Sequence, residues 1–176
     1  MNGKYTLLLH EQGEVITRIW GDEVMESRDT QYAERLSYRQ LIDHLPSLLD
    51  ELGRVLDAPG SPHEIADASR RVRYFIHVRF QQGCLLDEVA RELFVLREVI
   101  NDFVWRENFA ATERDLRELR GALKRTNTFF DELMRQVIIV YAASLRPPVQ
   151  THSSIWYPSR RRRRTDQSSP DPAREI

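Results

Sequence analysis

A single cysteine, Cys84, among 176 residues excludes an intrachain disulfide and a cysteine-built zinc cluster. That usage fits a reducing compartment, and the chain reads as cytoplasmic. Only 7 Gly and 8 Pro leave little room for a turn-rich β architecture, and no stretch shows the strict alternation of a half-buried strand. No apolar run approaches the ~20 residues that span a bilayer. Lys4 followed by Tyr5 to Leu9 is too short and too poorly flanked for a signal peptide. There is no internal repeat, no phosphate loop and no nucleophile paired with a base. His10, His44, His63, His77 and His152 form no zinc-spaced ligand set, and His44 and His77 read as surface or lightly packed residues. The expectation is a chain without enzymatic activity, metal or cofactor.

What is present is helical periodicity. Apolar positions at Leu8, Val15, Ile16, Ile19, Trp20 and Val24 share one face of a first helical segment. Ser37 with Gln40, and Ser61 with Pro62 and Glu64, are capping boxes that start two more helices, because each side chain satisfies an orphan backbone group of the first turn. The first of these runs through Tyr38, Leu41, Leu45, Leu48, Leu52 and Val55, and Pro46 inside it predicts a bend. The next carries Ile65, Ala68, Val72, Phe75, Ile76 and Phe80 and stops at Gly83. A fourth helix is built on Leu86, Val89, Leu93, Leu96, Ile100 and Phe103. Thr112 and Asp115 open a long last helix that ends before Pro147 and Pro148. The reading is an all-α bundle of about five to six helices, residues 1–146, followed by a disordered arginine-rich tail, residues 147–176.

That last helix bears two apolar stripes, one at Leu116, Leu119, Leu123, Thr126, Phe130, Leu133, Val137 and Val140, the other at Phe129, Met134, Ile138 and Tyr141. Two stripes predict two packing surfaces, the outer one for a partner or a second copy, with Phe129, Leu133, Met134, Ile138 and Tyr141 its leading candidates. Charge is unevenly shared. From Arg146 onward there are seven Arg against three acidic residues, +4, so the formal net charge of −1 leaves −5 for residues 1–145. An acidic body argues against a nucleic-acid-binding domain. Arg160, Arg161, Arg162, Arg163 and Arg164 nonetheless form a basic run, with Trp156 and Tyr157 just ahead of it. A nucleic-acid-associated accessory protein is therefore the alternative reading.

The most unusual charges lie between Arg79 and Arg97. Arg79 follows Val72 by seven residues and so shares its apolar face, and Glu92, across the Gly83 turn, is its natural partner. The pair reads either as a structural ion pair fixing the crossing of two helices or, with Arg97, as the lining of an anionic-ligand pocket or switch. Cys84 beside the turn is read as a small semi-buried residue in preference to a redox sensor.

The pattern Arg79-x-x-x-Gly83, then Arg91-Glu92-x-x-x-Leu96-Arg97, resembles the RsbRD-like N-terminal domain of the RsbT co-antagonist family, sensors of the sigma-B stressosome. Trp20 to Val24 and the run from Leu41 to Asp50 around Pro46 carry the same resemblance, which covers about residues 5–145. It implies a globin-like helical sensor without haem, often dimeric, joined through its last helix to an output module, as also at the front of bacterial histidine kinases. With no output module expected after residue 146, it implies regulation of a separate signalling protein, of the kinase or anti-sigma type. Phe75 stands where the family often has a histidine, and Cys84 where it has an aromatic, which argues against a family ligand site.

Overall fold

Reciprocal caps set the helix starts that the sequence marks. Ser37 Oγ accepts from the Gln40 N–H at 3.3 Å while Gln40 Oε1 accepts from the Ser37 N–H at 2.9 Å. Ser61 and Glu64 repeat the arrangement, and Thr112 and Asp115 do so at 2.9 and 3.1 Å. The computed structural model describes residues 3–27, 31–58, 61–107 and 112–145. Nine helices occur there: α1 Lys4–Glu11, α2 Gly13–Glu26, α3 Tyr32–Arg35, α4 Tyr38–Ile42, α5 Leu45–Asp57, α6 Pro62–Val72, α7 Tyr74–Gln81, α8 Leu86–Arg106 and α9 Glu113–Leu145. No strand is found among the described residues, so the all-α expectation holds.

The count exceeds five to six because three expected helices are interrupted. The first segment breaks at Gln12, and the third at Arg73. Pro46 does more than bend its helix. The helix stops at Ile42, and Pro46 sits in the first turn of a new one, where its missing N–H is an orphan in any case. Between α2 and α4 lies one further short helix, α3, for which the apolar periodicity gives no signal. Gly83 closes the α7 end with φ +77, a left-handed conformation that a side chain would strain.

α9 runs ~50 Å at 1.5 Å per residue and packs against α5, α6, α7 and α8, with α8 its most extensive neighbour. α1 lies along α5, and α2 along α8. The core holds Trp20, Leu41, Leu48, Leu52, Phe75, Val89, Leu96 and Ile100 at essentially no exposure. Tyr38 and Phe80, placed on buried stripes by periodicity, are largely exposed. Among the described residues no helix is long and apolar enough to cross a membrane. The chain divides after Leu145, and the expected tail, with Arg160–Arg164, lies outside the described residues.

Candidate functional site

Every donor of Arg79 finds an acceptor in the middle of the bundle, at 1% exposure. Nε and Nη2 donate to Glu92 Oε2 and Oε1 at 2.9 and 3.0 Å, a two-point ion pair between α7 and α8. Nη1 donates to the Gln40 carbonyl at 3.1 Å and to Gln82 Oε1 at 3.0 Å, and Nη2 donates to the Leu41 carbonyl at 2.7 Å. The guanidinium thus caps α4 at the point where it stops, 38 to 39 residues away in sequence.

Three further side chains close around Glu92, which has no exposure. Tyr32 donates its hydroxyl to Oε2 at 2.8 Å, and Trp20 Nε1 donates to the Glu92 carbonyl at 3.1 Å. His44, expected to be a surface or lightly packed residue, is 6% exposed and stacked on Phe75 at 4.5 Å. It stands in the two-residue break between α4 and α5, next to Asp43. Its Nδ1 lies 3.3 Å from Arg79 Nη2. A guanidinium only donates, so Nδ1 accepts and the ring proton sits on Nε2. That nitrogen faces Glu92 Oε1 at 3.2 Å, which turns its N–H dipole toward the carboxylate.

Burial on its own would raise the Glu92 carboxyl, but His44 and Arg79 outweigh it and hold the group at about 2. The Tyr32 hydroxyl is pushed up, first by burial and then by the Glu92 charge. Burial also opposes the charge on Arg79, and Glu92 overcomes it, keeping the guanidinium above its ordinary value. The cluster is therefore a buried ionic centre in which Arg79 and Glu92 neutralise each other and every Arg79 donor is bonded.

Of the residues singled out in sequence, Arg79 and Glu92 come together, Gly83 makes the turn between their helices, and Arg97 stands apart. Arg97 lies over the Phe94 ring and pairs with Asp131 of α9 at 3.4 Å, at the partly exposed edge of the bundle. Trp20, Tyr32 and His44 are the members that periodicity missed, since nothing in the spacing brings residues so far upstream to Glu92. Cys84 is buried, and burial pushes its thiol up to about 11, which fits a packed residue better than a reactive one.

The expected outer surface of α9 needs correction. Phe129, Leu133 and Tyr141 are buried in the chain's own core and Met134 is half-buried, because helices wrap α9 on several sides. Only Ile138, 52% exposed, presents its side chain, and Ile139 beside it is 48% exposed. Tyr141 instead donates its hydroxyl to the Cys84 carbonyl at 2.7 Å and meets Phe80 edge-on.

Among the described residues no group of three or more His, Cys, Asp or Glu could hold a metal ion. No curated protein and no solved structure matches the chain. The model of one family, the RsbT co-antagonist protein rsbRD N-terminal domain, matches residues 14–152, a span that takes in every member of the buried cluster and the whole of α9. With well over half its length matched, the chain belongs to that family and is a helical signalling protein.

Proposed function

We propose that the chain is a cytoplasmic sensor or adaptor with a globin-like arrangement of helices, working as a homodimer and regulating a kinase or an anti-sigma type partner by direct contact. The observation that carries this reading is the end of α9. Val137 to Ala143 reads V-I-I-V-Y-A-A, apolar on all sides, and a helix apolar all round needs covering on all sides. The core covers Val137 and Tyr141, which leaves Ile138, Ile139 and Ala142 outward. A second copy set against this end would cover them, and the remaining surface would be free for the regulated protein. The ionic centre supports the reading by fixing how α4, α7 and α8 meet, which gives the surface a defined shape.

The test is the light-scattering mass of the full chain, with and without Ile138→Glu plus Ile139→Glu. Both positions are exposed, so the variant keeps its helical content. The expected result is a dimer that becomes a monomer. A monomeric wild type, or a variant that stays dimeric, removes this interface.

A further inference from the structure

Two helix interruptions border one groove. The Gln12 break separates α1 from α2, the Asp43–His44 break separates α4 from α5, and Leu9, Gly13, Ile42, Pro46 and Leu49 form a mainly apolar trough between them. Its volume is about 680 Å³, inside the ~300 to 1,000 Å³ range of small-molecule sites. The floor is open at Gly13, where an added Cβ would meet no atom beyond its own turn of helix nearer than Leu49 Cδ1 at 3.9 Å.

We propose that this groove binds a small amphipathic cation, an alkyl or aryl amine. The apolar floor takes the hydrocarbon. Glu14 from α2 and Asp50 from α5 are both exposed residues of its lining, and neither has an ion pair or side-chain hydrogen bond among the described residues. Arg18 lies on the Tyr38 side. Counting His10 as neutral, the lining carries two carboxylates against one cation, within a body of net charge −5. An ammonium head between Glu14 and Asp50 gains both, whereas a carboxylate head there meets two like charges. The role of the groove as the input of a signalling protein rests on the preceding reading, but binding itself does not.

Calorimetry on the full chain with octylamine, octanol and octanoate tests the assignment. Octylamine is expected to bind saturably, one per chain, and octanoate at least about tenfold more weakly. Gly13→Leu fills the floor while replacing a poor helix former by a good one. It should keep the wild-type circular dichroism and thermal midpoint and lose octylamine binding at least about tenfold. Glu14→Gln with Asp50→Asn should erase the preference for octylamine over octanol. Absent octylamine binding, equal binding of octanoate, undiminished binding by a folded Gly13→Leu, or a preference that survives the double substitution would each overturn the proposal. Mass measured on the same samples separates the two ideas, because a monomer that binds octylamine removes the dimer and keeps the site.

Discussion

Arg79 has five N–H donors, and its neighbours offer them more acceptors than they can fill: Nη2 alone has Leu41 O, Glu92 Oε1 and His44 Nδ1 within reach. That surplus explains how a full charge is tolerated in a core of Leu and Phe. Removing Glu92 is a different matter, because it strands the guanidinium. Glu92→Gln is expected to cost about 3 to 5 kcal/mol in urea unfolding, the usual range for breaking a buried pair. The pH dependence fixes the sign. Glu92 is lowered from 4.5 to about 2 in the folded chain, so its stabilisation is fully present above about pH 5 and is lost as pH falls toward 2. It amounts to something on the order of 3 kcal/mol. The gap between wild type and Glu92→Gln should therefore shrink as urea titrations move from pH 6 to pH 3. A gap that does not change with pH would show that the carboxylate charge contributes nothing.

At the scale of elements, the docking of α1 on α5 is as specific as the ionic centre. Asp57, at the end of α5, accepts from the Tyr5 and Thr6 N–H groups at 2.8 Å each and from Thr6 Oγ1 at 2.7 Å, capping a helix 51 to 52 residues upstream. Gly53 permits the approach, since a Cβ there would lie 2.8 Å from the Thr6 Cα, a backbone atom that cannot swing aside. Gly53→Ala is thus expected to destabilise by about 1 to 3 kcal/mol despite its better helix propensity. Hydrogen exchange should place the loss in α1, and a neutral or stabilising result would mean that α1 shifts freely. These two helices also show what the sequence could and could not disclose. Ser37, Ser61 and Thr112 announce α4, α6 and α9 because a cap is a local device, and Gly83 announces a stop for the same reason. The break before His44 is not local. Arg79 holds it through the Gln40 and Leu41 carbonyls, so a stripe of leucines on either side of Pro46 reads as continuous. α3, only four residues long, is held in place by Tyr32 on Glu92 and by Arg35 on Glu88 at 2.9 Å. The Arg79–Glu92 pair was legible from spacing across one turn. Tyr32, Trp20 and His44 were not, since each arrives from a separate element, and the second stripe of α9 was misread because several helices share its burial.

For the molecule as a whole, the question is whether the ionic centre bears on the end of α9. A continuous set of contacts joins them. Tyr32 bonds Glu92, Glu92 pairs with Arg79, the Arg79 carbonyl accepts from the Cys84 N–H at 3.0 Å, and the Cys84 carbonyl accepts from the Tyr141 hydroxyl. Tyr141 lies three residues beyond Ile138, so this set of contacts ends beside the surface proposed for the second copy. Continuity is not coupling, and a double-mutant cycle decides between them. Tyr32→Phe and Tyr141→Phe each delete one hydroxyl without creating a large cavity. Each should cost about 1 to 3 kcal/mol, since each leaves a buried acceptor short of a donor. The two hydroxyls share no partner, so independent sites would add to within about 0.3 to 0.5 kcal/mol. A centre that holds the turn for α9 predicts an interaction energy above that margin, with Tyr32→Phe alone raising amide exchange between Ile138 and Ala143. Simple additivity, with exchange there unchanged, would reduce the buried cluster to a local clamp on α4, α7 and α8.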